Sequence, residues 1–554
     1  MKTPIKIIIV ITVVLVIFGI FLFSGDDNSV RFADYGDAPF VLEVGTKGEV
    51  IQIKPYYSEA DNVWYYFLPS YVKDKTLKYD EPFDLDCNGQ KYKSVIKQSA
   101  NLTTLFIDTE SGSLDYLGES KANFEPGKLS AIDKDGNVEY CGDLTRISGR
   151  GNGSWRDEKK RPYSFVLKKE ASIAGVDYGK SYNLHAMCYE GDKLHSKLIY
   201  DYADYLGEEF STSCNWVDVY FNGEYYGLYL LREANKVEKG RIEAEKDGFL
   251  IERDREGSWD ANEEDYFLSN RGVPFVFRFP EQPTSEEKET VILRANEVEE
   301  AIVKQQTIDD LVDIHSFVIQ YLCDEISKNF DAFKTSGYFY QKTKNDKMCA
   351  GPVWDYDGSF GEFLEEGEIY SDPEGTILGA REGQMEWFAA IIYNENFNID
   401  KVSSFANSLS WFREKLETGL DEQANMIRKS EELDEIRWRD DKDSLSNRFA
   451  PGLYDSYDNE VKYLKWYLAK RLNYLSDEWG IDVEKIPLPD DSKESHIVTF
   501  DAGNMQETIT LNDGELLGDS IPEGLWVIKG TWNPVNRFIP VFEDMTMTLW
   551  EKEE

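Results

Sequence analysis

Apolar residues recur along the chain in three patterns, and each pattern predicts a different element. Ile7 to Phe23 is an unbroken apolar run (IIIVITVVLVIFGIFLF), with Lys2 and Lys6 before it and Ser24, Gly25, Asp26 and Asp27 after it. It is longer than a signal-peptide core of about 7–15 residues and reaches the lower limit of about 17 for a spanning helix. No small-x-small cleavage site and no lipobox cysteine follow. Residues 1–25 are therefore predicted to be a single signal anchor, lysines inside and the bulk of the chain outside. A signal peptide is the alternative, and either one exports the body.

Beyond an acidic linker over 26–48, residues 49–148 alternate like strands, with IQIKPYY, VWYYFLP and TTLFID, and DKDG (133–136) marks a turn. WVDVYFNGEYYGLYLL predicts a hairpin turning at Asn222-Gly223 and leading into Arg232 and Glu233. GFLIERD adds a strand carrying Glu252 and Asp254. Helical spacing takes over in residues 285–306, and again where Val461, Leu464, Leu468, Leu472, Leu475 and Trp479 recur. Thr307 with Asp310 is expected to cap a further helix through Leu311, Ile314, Val318, Tyr321, Leu322 and Ile326. Residues 149–480 form the core in this division. A linker over 481–495 and a small β-rich module over 496–554 complete it.

Composition narrows the chemistry. With 41% hydrophobic and 14% aromatic residues, the 554-residue chain folds around large cores, about two to four domains. Its net charge of −43 argues against nucleic acid as a partner, because phosphate would be repelled. The six cysteines (Cys87, Cys141, Cys188, Cys214, Cys323, Cys349) show no CxxC pair and no recognisable zinc pattern, and the spacing selects no disulfide pairing. The four histidines occur without HExxH, and GxSxG is absent, so histidine-based hydrolysis is poorly supported. Any metal is expected to be a hard cation held by oxygen.

Two stretches carry candidate chemistry. GRGNGSWRDEKKRPYSFVLKK, residues 149–169, is basic inside an acidic protein and is led by Gly149, Gly151 and Gly153. Such a segment suits phosphate binding, and equally suits a glycine hairpin followed by a solvated strand. In GPVWDYDGSFG, residues 351–361, Asp355 and Asp357 are two positions apart. On an extended strand they would share a face, roughly 6–7 Å apart. A divalent cation would neutralise the pair. Capping of backbone amides is the other explanation.

Upstream of that pair come a helix, SKNFDAFK with Asn329 and Asp331, and the strands of SGYFYQK and DKMCAGPVW. Protein kinases use this order, the catalytic loop preceding a hairpin and a metal-binding Asp. RGNGSW…KKRPYSFVL, YFNGEYYGLYLLRE, GFLIERD, KNFDAFKTSGYFY and GPVWDYDGSFG together resemble the CotH kinase family, over roughly residues 50 to 480. The resemblance implies an α+β, atypical protein-kinase-like fold, β-rich first and helical later. It also implies ATP with Mg²⁺ or Mn²⁺ as cofactors and a protein substrate at the cell surface or spore coat. Asp331 would take the catalytic-loop role, with Asn329 assisting. Asp355 and Asp357 would hold metal, without a choice of the essential one. Arg150, Gly151, Asn152 and Lys160 are the expected phosphate contacts. Lys197 could reach the phosphates, and Glu233 or Glu252 could orient a lysine. Many family members carry lysine where this chain has Val166, which puts its phosphate contacts in question. The final module resembles internalin-type β-grasp repeats, although it has Gly530-Thr-Trp532 in place of a Gly-Trp pair. A non-catalytic surface or wall-associated protein keeping the same fold is the competing class. Glycoside hydrolysis is disfavoured, because parallel strand carboxylates do not face each other across a sugar.

Overall fold

The computed structural model describes residues 30–33, 41–46, 49–87, 89–156, 159–254, 266–362, 367–380, 383–439, 452–489, 494–531 and 533–550. The apolar run expected to anchor the chain lies outside these residues, as do Asp157, Glu158 and Trp532. Among the described residues no helix is long and apolar enough to cross a membrane.

The β-rich beginning forms two small sheets, and the first starts inside the stretch over 26–48 expected to be a linker, because Val41, Leu42 and Val44 are apolar and buried. Strands β1 (Val30–Ala33), β2 (Val41–Thr46) and β3 (Glu49–Ile53) form an antiparallel trio. Strands β4 (Tyr56–Ser58), β5 (Val63–Leu68), β6 (Phe83–Cys87) and β7 (Gln90–Gln98) pair in the order β4-β5-β7-β6.

A closed barrel follows, built from β8 (Thr103–Thr109), β9 (Phe124–Ile132), β10 (Val138–Gly149), β11 (Tyr163–Ile173), β12 (Val176–His185), β13 (Cys214–Phe221) and β14 (Glu224–Glu233). Period-two alternation fills it: Leu105, Ile107, Phe165, Leu167, Val217, Val219, Tyr229 and Leu231 share one core. The β13–β14 hairpin turns at Asn222-Gly223, whose φ angles of 51° and 83° are those a type I′ turn demands. The opposite face of β14 presents Leu228 and Leu230 to the helical core, and Arg232 continues that face. Three short or intervening helices accompany the barrel: α1 (Asp115–Glu119), α2 (Gly153–Arg156) and α3 (His195–Leu206).

The rest of the core is a five-stranded sheet covered by helices. Its strands β15 (Phe249–Arg253), β16 (Tyr266–Leu268), β17 (Pro274–Phe279), β18 (Gly337–Gln341) and β19 (Cys349–Ala350) run in the order β16-β17-β15-β18-β19. The helices are α4 (Ser285–Val303), α5 (Ile314–Ser327), α6 (Glu368–Ser371), α7 (Glu386–Ile391), α8 (Glu395–Glu414), α9 (Leu420–Trp438) and α10 (Tyr457–Glu478). A capping box between Thr284 and Glu287 starts α4. The helix expected from a Thr307 cap starts later, at α5, with Asp313 accepting from the Ser316 amide at 2.9 Å. Backbone bonds of Leu311 and Asp313 to Met348 explain the shift, because they commit those residues to a bridge beside β19. The C-terminal module is a mixed sheet of β20 (Ser495–Asp501), β21 (Gln506–Asn512), β22 (Trp526–Ile528) and β23 (Met545–Leu549), docked on α10 through Lys462 and Asp513 at 2.6 Å. Cys141, Cys188, Cys214, Cys323 and Cys349 are free thiols.

Buried carboxyls hold several of these layers together. Asp218 of β13 accepts from Tyr225 and from Ser430 of α9, both at 2.9 Å, and burial pushes it up to about 7. Asp324 of α5 accepts from Tyr356 at 2.8 Å and Gln320 at 2.9 Å, and burial likewise pushes it up to about 7. In the folded chain these groups bind protons that the unfolded chain has released. Stability therefore falls as pH rises from the usual carboxylate range towards 7, by about 1.4 kcal/mol per pH unit per group. Melting temperatures of the wild type and of Asp218→Asn, followed between pH 5 and 8, should show the wild type losing stability more steeply. Parallel curves would refute the assignment.

Candidate active site

Helix α5 ends in a left-handed residue, Lys328, at φ 46°. Its ammonium donates to the carbonyls of Ile369 at 3.0 Å, Asp372 at 2.6 Å and Glu374, so the turn after the helix is fixed from outside. Buried Asn329 comes next and bonds in two directions. Its Oδ1 accepts from the Asp331 amide at 3.1 Å, and its Nδ2 donates to the Asp355 carbonyl at 3.0 Å. The Phe330 amide adds a bond to the Gly358 carbonyl at 2.8 Å. One side chain and one backbone bond thus tie the Asp331 loop to the Asp355–Gly358 segment. Ser336 Oγ lies 3.4 Å from Asp331 Oδ2 and donates to it.

The aspartate pair is not arranged as the sequence suggested. Strand β19 ends at Ala350, and Asp355 is left-handed, at φ 68°. The two-residue strand period therefore does not apply, and the carboxylates enter different surroundings. Asp355 is 36% exposed and faces buried Arg232 at 3.4 Å. Arg232 lies 3.7 Å from the Trp354 ring centre and also bonds the Tyr200 hydroxyl, which accepts from the Asp355 amide at 3.3 Å. Asp357 is buried, with His185 Nε2 3.6 Å away. The same nitrogen is 3.7 Å from Glu190, which Ser196 Oγ holds at 2.7 Å.

Charge in this cluster is lopsided. Burial, then the charges of Asp355 and Glu190, hold the Asp357 carboxyl well above its usual range; Arg232 offsets part of this and Asp331 adds to it. Burial, then Arg232 and Arg150, hold His185 well below its usual range, so a neutral imidazole faces the carboxylates. Asp331, Asp355, Asp357 and Glu190 thus offer hard oxygen donors, and among the described residues Asp357 is paired with His185, with Arg232 only partly offsetting its charge. Oxygen donors of this kind are those that a divalent cation such as Mg²⁺ or Mn²⁺ prefers.

The expected site residues divide into those gathered here and those held elsewhere. Asn329, Asp331, Asp355 and Asp357 come together. Arg150 joins them, with its guanidinium 5.5 Å from the Trp354 ring centre and under the influence of Arg232 and Asp355. Gly151 and Asn152 are engaged by Lys121, whose ammonium bonds the Gly151 carbonyl at 3.4 Å and Asn152 Oδ1 at 2.8 Å. Lys160 is buried against Asp434 at 2.8 Å and the Leu228 carbonyl at 2.6 Å, fastening α9 to the barrel. Gly227 makes that approach feasible: a Cβ there would fall 2.1 Å from Asp434 Oδ1. Lys197 pairs with Asp201 on its own helix, and Glu233 pairs with Arg241. Glu252 accepts from Arg278 at 2.6 Å. His185, Glu190, Tyr200 and Arg232 are site residues to which sequence reading gave no role. A cation closing the apolar run of β14 was the one available signal, for Arg232.

A cleft of about 950 Å³ opens between the barrel and β17, and none of the clustered acidic residues lines it. Barrel residues Arg146, Ser148, Val166 and Asn183 line one wall, and Phe277 and Arg278 of β17 line the other. Asn183 is the ladder partner of Arg232, so the wall is continuous with the residue that grips Asp355.

Comparison with curated proteins gives no match. The sequence profile of the family described as CotH kinase protein matches residues 147–475. That span includes Arg150, Arg232, Asn329, Asp331, Asp355 and Asp357 and amounts to more than half the chain, so this protein belongs to the CotH kinase family.

Proposed function

We propose that the protein is an exported, membrane-anchored protein kinase that transfers the γ-phosphoryl group of ATP to hydroxyls of proteins at the cell surface or spore coat. The supporting observation is Asn329, a single side chain that holds Asp331 and the Asp355 backbone together. A kinase needs that proximity, because the group orienting the acceptor hydroxyl must lie beside the group neutralising phosphate charge. Asp331 accepts or orients the hydroxyl proton. Asp355 and Asp357 supply oxygen ligands, and a cation held there would screen the transferring phosphoryl group. The nucleotide enters the cleft between the barrel and β17. Val166 stands there where many family members have lysine, and Arg146 is directly opposite it in the β10–β11 ladder, able to supply the missing charge. Family membership supports kinase activity; export, anchoring and the protein acceptor rest on the N-terminal apolar run and the family's founding members. The test incubates the purified full chain with γ-labelled ATP, Mn²⁺ or Mg²⁺ and cell-surface protein. Label in protein, absent from an Asp355→Ala/Asp357→Ala control, is expected. Failure to bind Mn·ATP would leave the non-catalytic surface role instead.

A further inference from the structure

Behind the aspartate pair, a second group of ligands converges. Asp192, His195 and Glu362 place one donor atom each within 4.8 Å of one another. Asp192 and His195 have no exposed surface, and the Glu362 side chain is 2% exposed. Asp192 precedes α3, His195 opens it, and Glu362 follows directly on Phe360-Gly361, downstream of Asp357.

The hydrogen-bond pattern around this trio points to a ligand. Asp192 Oδ1 accepts from the Leu194 amide at 2.7 Å, and Glu362 Oε2 accepts from the Gly191 amide at 2.7 Å. Each carboxylate is anchored to backbone through one oxygen. Its other oxygen, Asp192 Oδ2 or Glu362 Oε1, is buried with no hydrogen bond. Both nitrogens of His195 are in the same state. Yet Nε2 lies 3.0 Å from Asp192 Oδ2 and 3.4 Å from Glu362 Oε1, close but not aligned as donor and acceptor. Orphaned buried polar atoms are costly and call for an explanation. Ligands at about 2.1 Å from one ion are about 3.0 Å apart at right angles and about 3.4 Å apart in a tetrahedron. Glu460 lies beside the trio, with Oε1 bonded to the Tyr454 amide and Oε2 again without a partner. Room for it requires Gly191, where a Cβ would fall 2.5 Å from Glu460 Oε2.

We propose that Asp192, His195 and Glu362 bind a structural divalent ion, separate from the one at Asp355 and Asp357. One imidazole with carboxylates favours a borderline ion of the Zn²⁺ class over Ca²⁺, which prefers oxygen alone. Bound there, it fastens the segment after Asp357 to the start of α3, the helix whose Tyr200 bonds Arg232 and the Asp355 amide. The ion thereby holds the catalytic aspartates in place from behind.

The full chain is chelated, reloaded with ZnCl₂ or MnCl₂ alone, desalted, and measured for bound metal and melting temperature. About one ion per chain should survive desalting and raise the melting temperature. The Asp355→Ala/Asp357→Ala variant should behave identically, whereas His195→Gln and Glu362→Gln should lose both effects. No retained metal and no thermal shift in the wild type would overturn the proposal in favour of a protonated His195 balancing its carboxylates. Metal lost from the Asp355/Asp357 variant would assign the ion to the catalytic site and equally overturn it. Should the His195 and Glu362 variants fail to fold, the wild type and the double aspartate variant decide alone, since both keep the trio intact.

Discussion

Asp357→Asn abolishes phosphoryl transfer, a loss of at least about 10³-fold, while the protein melts at the same temperature or higher. The two halves of this result have one cause. Asp357 is buried beside Asp355 and Glu190, and its ionised form is disfavoured in the folded chain without a cation. An asparagine of nearly the same shape removes that repulsion and also the oxygen charge that a metal requires. A carboxyl raised in this way binds metal only by giving up its proton, so metal affinity should rise with pH above the usual carboxylate range. Labelled-ATP assays and thermal melts on the same preparations check both halves. Retention of more than a tenth of the activity would remove Asp357 from the metal site. A melting temperature several degrees lower would make it a structural ion-pair member instead.

Local signals in the sequence were enough for elements whose determinants are local. Asn222-Gly223 fixed its hairpin because a type I′ turn needs positive φ at both positions. The apolar spacing from Val461 to Leu475 marked α10. The gathering of Asn329, Asp331, Asp355 and Asp357 was legible through their order along the chain. Features set by distant partners were not. Lys160 looked like a phosphate ligand among its basic neighbours, but its countercharge, Asp434, lies 274 positions away. The strand rule misplaced Asp355 because nothing in Trp-Asp-Tyr announces a left-handed residue; Asn329, from another segment, bonds the carbonyl of that residue. Arg232 belongs to the site because β14 turns Leu228, Leu230 and Arg232 towards the helices, a face that only barrel closure defines. His195 resembled an ordinary helix residue, since Glu362 approaches it from 167 positions later in the numbering.

Asp331→Asn should separate chemistry from nucleotide binding. The Asp331 amide is held by Asn329, and its carboxylate accepts from Ser336. Asparagine keeps the volume and can still take part in both contacts, so the loop stays tied to the Asp355 segment. What it loses is the ability to accept the acceptor's proton, and general-base removal costs about 10²–10⁴-fold in kcat. Its position against the Asp355–Gly358 segment, rather than in the cleft wall, predicts a KM for ATP within about threefold of the wild type. Arg150→Gln should give the opposite split, raising KM for ATP more than it lowers kcat, because that guanidinium adds a cation beside Arg232 and would attract the phosphates of the proposed nucleotide. Steady-state kinetics at varied ATP with saturating acceptor, together with titration of Mn·ATP onto each variant, distinguish the two. An Asp331→Asn enzyme with unchanged kcat and a raised KM would reverse the roles. The hydroxyl-orienting group would then have to be sought among Asp355 and Glu190.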